Sequence, residues 1–269
     1  MANRDNILVR STSDELSNSL QWMIIGAILS PQQGHCDYPL TELGTAQAVR
    51  RGTLLKDEKW GLVFSSDLLR AYNTTKIILA QTAATDPETL VASIKETVLL
   101  RELSFGVREG LSRALTVEEA KAEVARIRNV PVSQVHDRAE SLASVKERQV
   151  EFLTRLKYQA FDAMRVSQWN GEQPFKVLCV AHGGFIGQFL RNFCPELVHE
   201  KPKIGNCSLS IINVEWPFDE SLLIEEDEAD KECLFEREGC IDMALHAAQE
   251  GHLSFTCTAD PAQFNMCIE

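Results

Sequence analysis

Val177-Leu178-Cys179-Val180-Ala181 is apolar at five consecutive positions with no polar residue between them. A strand buried on both faces reads this way, and the run is too short for a helix. Gly183-Gly184 breaks the run, and Phe185, Ile186, Phe189 and Leu190 then recur at helical spacing. The pattern predicts a central strand of a parallel sheet that ends at His182 and passes directly into a helix. Ligands of open α/β sheets collect outside the carboxyl ends of the strands, and a helix N-terminus offers free N–H groups to an anion. An imidazole there suits phosphate; a hydrogen-bonded histidine at a strand end is the plainer alternative.

The rest of the chain alternates in the same manner. Ile7 to Arg10 reads as a first strand, Leu62-Val63-Phe64 as the next, Val98-Leu99-Leu100 as a return to the sheet, and Ser208 to Val214 as a late strand near an edge. Helices are predicted from Thr41 to Leu55, with Thr41 as N-cap, and from Asp67 to Gln81. A charged helix opens at Thr116-Val117-Glu118-Glu119 and stops near Asn129 before Val130-Pro131. A long helix follows Glu140-Ser141, with Leu142, Val145, Val150, Phe152, Leu153 and Leu156 near one face, ending about Arg165. The apolar run from Leu20 to Leu29 is too short to span a bilayer and is stopped by Ser30-Pro31. It reads as an extra helix packed on the sheet, or as a lid or partner-binding element, with Trp22 and Ile25 expected to be largely buried. Glu225 to Glu228 is an acidic surface loop, and the tail from Gly239 carries no clear period.

Three strand ends deliver chemistry. Ile7-Leu8-Val9-Arg10 ends in an arginine before Ser11; Phe64-Ser65-Ser66-Asp67-Leu68-Leu69-Arg70 runs from strand through a polar turn to an arginine; Leu100-Arg101-Glu102 places a carboxylate beyond an apolar segment. With Leu40-Thr41-Glu42-Leu43-Gly44, Val180-Ala181-His182-Gly183 and Asn206-Cys207-Ser208-Leu209, these pieces, in this order, resemble the histidine phosphatase superfamily, the phosphoglycerate-mutase-like fold. Within it the chain is most similar to the fructose-2,6-bisphosphatase-like regulators of glycolysis and apoptosis.

The resemblance implies an α/β three-layer sandwich with a mainly parallel central sheet and helices on both faces. It also implies a single domain over 1–269 with insertions near 19–33 and 215–240. In that family a phosphate sits among two arginines and two histidines, because three charged oxygens need a dense donor set. Arg10, Arg70 and His182, with Gly183, match the phosphate-binding positions, and Glu102 matches the proton donor to the leaving alcohol, a role that needs a raised pKa. The plainer alternative for Glu102 is an ion pair with Arg101 or Arg108. Of the family's Gly-Gly-Glu-Ser-like capping segment, Arg138-Ala139-Glu140-Ser141 keeps the last two residues.

One position departs. The family motif Leu-Val-Arg-His-Gly carries the phospho-accepting histidine, and here the register reads Leu8-Val9-Arg10-Ser11-Thr12. A serine hydroxyl needs an adjacent base or a metal to attack phosphorus, and the family supplies neither at this place. His35, in Gly34-His35-Cys36-Asp37, is a substitute imidazole at the pocket rim; its loop setting and the need for in-line attack weigh against it.

Composition narrows the partners. A net charge of −12 argues against nucleic acid and anionic membrane. The eight cysteines form no CxxC pair and no repeated ligand spacing, so no metal site is expected. Together with the lack of a secretory pattern in Met1 to Asn6, they suggest reduced thiols in a cytoplasmic or nuclear setting. The resemblance implies a cofactor-free phosphatase of sugar-bisphosphate type, with fructose-2,6-bisphosphate as one candidate substrate, and the serine at position 11 implies turnover reduced or lost. The alternative is a pseudophosphatase that engages a phospho-ligand or a protein partner, and a third reading is a variant transcript in which the first motif is disrupted.

Overall fold

The computed structural model describes residues 19–27, 33–82, 93–112, 114–169, 173–194, 204–215 and 254–258. Among these residues six strands form one sheet: β1 Ser19–Ala27, β2 Leu62–Ser66, β3 Lys95–Thr97, β4 Phe175–His182, β5 Leu209–Glu215 and β6 Ser254–Thr258, in the order β3-β2-β4-β1-β5-β6. The first four in that order run parallel, while β5 pairs antiparallel with both β1 and β6. The sheet is therefore mainly parallel, as expected, and β5 lies one strand in from the edge.

Among the described residues five α-helices cover it: α1 Glu42–Leu54, α2 Leu69–Leu79, α3 Val117–Arg128, α4 Leu142–Val166 and α5 Gly183–Phe193. Their starts are written locally. Thr41 accepts from Gly44 N at the head of α1, Ser141 from Ser144 N at the head of α4, and Thr116 with Glu119 closes a reciprocal capping box on α3. Asn129 ends α3 in the left-handed conformation that asparagine tolerates.

Alternate residues of β4 sort the two layers of core. Val177, Cys179 and Ala181 face a cluster with Phe152, Leu156 and Phe185 from α4 and α5. Leu178 and Val180 face the opposite cluster, with Ala71, Ile78 and Leu79 of α2. That is why the strand reads as unbroken apolar sequence: both of its faces are covered.

Two elements differ from the sequence reading. The stretch from Leu20 to Leu29 is not an added helix or lid; its residues to Ala27 lie in β1, inside the sheet between β4 and β5. The rule that identified β4 applies to it equally, since an apolar run with a strand on each side needs no amphipathic period. Ile25 is fully buried, as expected. The short strand before the acid-bearing loop is Lys95–Thr97, and Val98–Leu100 is a single 3-10 turn in which Thr97 accepts from Leu99 N. The strand expected at Ile7 to Arg10 lies outside the described residues.

Candidate active site

The parallel strands β2, β4 and β1 end on one edge, at Ser66, His182 and Ala27, and the candidate residues gather there. Ala27 is the register partner of His182. Arg70 sits in the first turn of α2 just beyond β2, and Glu102 follows the 3-10 turn after β3. Three of the residues singled out in the sequence, Arg70, Glu102 and His182, are buried, with 1%, 2% and 0% of their surface exposed. Gly183 opens α5 immediately after His182. Arg10 and Ser11 lie outside the described residues.

Glu102 is held at the N-terminus of α5. One carboxylate oxygen accepts from Leu103 N and Phe185 N, both at 2.9 Å, and the other from Gly184 N at 3.1 Å. The fit requires glycine at 184, where a Cβ would come within 2.4 Å of a Glu102 oxygen. Burial raises the Glu102 pKa, opposed by those three backbone donors and by the charge of Arg70. The ion pair with Arg101 that would have explained Glu102 otherwise is not made. Arg101 instead forks onto Asp67, with bonds of 2.8 and 2.5 Å, and so ties the acid-bearing loop to the end of β2.

Arg148 of α4 completes that loop's support. Its Nη1 donates to the carbonyls of Leu99 and Arg101, both at 2.9 Å, and its Nη2 to the carbonyl of Glu102 at 3.2 Å. Its other donors grip Glu140 at 2.7 and 2.9 Å, and its guanidinium lies 5.0 Å from the centre of the Phe185 ring. The surviving Glu140 of the capping segment thus holds the arginine that holds the Glu102 backbone. Sequence reasoning missed Arg148 and Ser66. Arg148 carried one usable signal, its position beside Val145 and Phe152 on the buried face of α4.

His182 Nε2 shares a hydrogen bond of 2.9 Å with Ser66 Oγ at the end of β2. Its Nδ1 and the Nε of Arg70 are buried polar atoms with no hydrogen-bond partner among the described residues. Burial pushes the His182 pKa well below the ordinary value, helped by the positive charges of Arg70 and Arg148, so the ring is neutral at neutral pH. Acid therefore favours the unfolded chain, where the imidazole protonates freely. Stability from this group is fully present above about pH 6.5 and is lost as pH falls toward the depressed folded value, at about 1.4 kcal/mol per pH unit. In His182→Gln, urea unfolding between pH 7 and 5 is expected to lose that slope; equal slopes in the two proteins would mean the ring is not held neutral.

A parallel sheet between helical layers, with an arginine, a histidine and a carboxylic acid gathered at its carboxyl edge, defines an α/β protein of phosphoglycerate-mutase-like fold. A family model described as histidine phosphatase superfamily (branch 1) matches residues 27–217, and the chain belongs to that family. It is 28% identical over 179 residues to "Fructose-2,6-bisphosphatase TIGAR B" of Danio rerio, covering 60% of this chain and 66% of that protein. It is 40% identical over 89 residues to "Fructose-2,6-bisphosphatase TIGAR" of Bos taurus, covering 33% of this chain and 31% of the relative. The chain thus spans less than two thirds of either. A 2,3-bisphosphoglycerate-dependent phosphoglycerate mutase of Cytophaga hutchinsonii matches at 27% over 208 residues, 71% of this chain and 90% of that one.

Among solved structures, "Mycobacterial hydrolase 1" superposes with a TM-score of 0.56 at 23% identity, over 90% of this chain and 97% of the other. A phosphoglycerate mutase from Bacillus anthracis gives 0.50 at 22%, over 73% and 88%. At these identities the superpositions establish the fold. No helix among the described residues is long and apolar enough to cross a membrane.

Proposed function

We propose that this protein binds the phosphoryl group of a small phosphate monoester, of sugar-bisphosphate type, as a phosphatase whose phosphoryl-transfer step is damaged. The observation that carries this reading is the buried set of Arg70, Glu102 and His182 at the carboxyl edge of the sheet, where one nitrogen each of Arg70 and His182 has no hydrogen-bond partner among the described residues. A buried guanidinium and a neutral imidazole beside a helix N-terminus form a donor set for three anionic oxygens. Glu102, its pKa raised by burial, protonates the departing alcohol oxygen, while Gly183 lets the chain approach the phosphate closely. Arg10 and Ser11, by family resemblance, take the second arginine and the phospho-acceptor positions. Serine there lacks the nucleophilicity of neutral imidazole, which is why turnover is impaired. The ligand is a phosphorylated small molecule, with fructose-2,6-bisphosphate the first to try, and the setting is cytoplasmic or nuclear.

A second reading, a pseudophosphatase that only binds, draws on the register of the sheet. Ala27 is the residue opposite His182, so the strand end beside that histidine reads Ile25-Gly26-Ala27 and offers no side chain able to accept a phosphoryl group.

Phosphate, vanadate and fructose-2,6-bisphosphate are each expected to raise the melting temperature. A ligand at 100 times its Kd adds about 2.7 kcal/mol, or roughly 5–10 °C for a chain of this size. The same protein, assayed on aryl and sugar phosphates without metal, separates the readings: turnover above background removes the pseudophosphatase. Anions that leave the melting temperature unchanged remove the phosphate pocket.

A further inference from the structure

We infer that residues 34–37 are an autoinhibitory strap: the chain's own carbonyls occupy the Arg70 fork, and a phosphoryl group reaches that fork only when the strap lifts. The inference rests on the reading of Arg70 as an anion ligand. Its basis is where the guanidinium's bonds go. Arg70 Nη1 donates to the carbonyl of Cys36 and Nη2 to the carbonyl of Gly34, both at 2.7 Å. Each end nitrogen therefore gives one of its two N–H groups to one short segment, and with 1% of the residue exposed the guanidinium offers an ion no approach from solvent while that segment lies over it. The remaining nitrogen, Nε, is buried with no partner among the described residues.

The strap is fastened at two further points. His35, between the two bonded carbonyls, donates from Nε2 to the carbonyl of Glu102 at 2.8 Å, which joins the strap to the acid-bearing loop. Asp37 accepts at 2.7 Å from the backbone N–H of Leu69, the residue before Arg70 and the first of α2. A carboxylate on a free N-terminal N–H is a favourable cap, so α2 itself holds the strap down.

Gly34 sets how closely the strap can lie. Its φ is +50°, and a Cβ there would come within 2.3 Å of Glu109 Oε1, an atom already engaged by Ser104 Oγ and Phe105 N at 2.9 Å. A glycine is needed both for the backbone conformation and for the contact. Downstream, Pro39 and the Thr41 cap of α1 give the strap a stiff hinge.

An anion competes with these carbonyls for the same donors. Charged oxygens make stronger bonds to guanidinium than neutral carbonyls do, so phosphate displaces the strap once it arrives. Binding is then weaker and slower than the donor set alone would give, because the open form must first be populated.

Cys36 lies within the strap and reports on it. The thiol is half-buried, and burial followed by the negative charge of Glu109 raises its pKa, which slows alkylation while the strap is closed. The experiment is N-ethylmaleimide labelling of the full chain, with Cys36 followed by peptide mass spectrometry, with and without inorganic phosphate. Melting temperatures are read in parallel. The proteins are the wild type, His35→Ala, Asp37→Ala and Gly34→Ala; Asp37 is exposed, so its replacement leaves the core intact.

Phosphate is expected to speed Cys36 labelling in the wild type. Each variant is expected to label faster without phosphate and to bind phosphate roughly tenfold tighter, about the effect of losing one hydrogen bond, or for Gly34→Ala the close fit, from the closed form. A melting shift in the wild type with Cys36 labelling unchanged or slowed overturns the strap and leaves the anion pocket standing. Absence of any melting shift in all four proteins overturns both.

Discussion

Arg70→Met is expected to lower the unfolding free energy by about 3 kcal/mol and to abolish anion-dependent stabilisation. Methionine fills much of the volume, so the cost comes from hydrogen bonding. The carbonyls of Gly34 and Cys36 lose their charged donor at a buried place, and each unsatisfied group costs about 1–3 kcal/mol, part of it recovered as the segment relaxes toward water. Urea unfolding in the presence and absence of phosphate measures both effects. A variant that unfolds normally and still responds to phosphate would remove Arg70 from the anion site.

Phe152→Ala is expected to cost about 3–5 kcal/mol, the range for truncating a buried aromatic side chain in a close-packed core. Phe152 is 1% exposed and meets Phe64 of β2 edge to face, with ring centres 5.5 Å apart. It therefore joins α4 to the sheet at the layer that also backs Phe185, the residue donating to Glu102. Equilibrium unfolding checks the figure. A loss below about 1 kcal/mol would mean that α4 closes over the cavity and that the layer is not close-packed.

How far the sequence announced this structure depends on whether side chains or backbone make the contact. Caps and apolar faces gave α1, α3 and α4 nearly to the residue, because Thr41, Thr116 and Ser141 act through side-chain oxygens that can be read. β4 was legible for the opposite reason, an unbroken apolar run. β1 has the same signature, yet an apolar run of its length also fits a buried helix or a lid, and periodicity alone does not separate them. β6 lay in a tail with no period of its own, and its place comes from pairing with β5.

Within the site, Arg70, Glu102 and His182 stood at strand ends and could be named in advance. The strap and the grip of Arg148 could not. Both work by donating to main-chain carbonyls, which every residue carries and no residue type marks.

The central position of β1 has a consequence for how the chain comes to be folded. Both of its sheet neighbours lie far ahead of it: Ala27 pairs with His182 on one side, and Ile25 with Leu209 on the other. During synthesis at roughly 5–20 residues per second, β1 waits on the order of ten seconds or more before either partner has been made. Through that interval Trp22-Met23-Ile24-Ile25 is an apolar segment of high strand propensity with neither edge satisfied. Closing loops of this length also makes the central pairing a slow step of refolding. A chain released early, before Phe175–His182 emerges, would carry that segment uncovered, and self-association through it is the expected fate of truncated products.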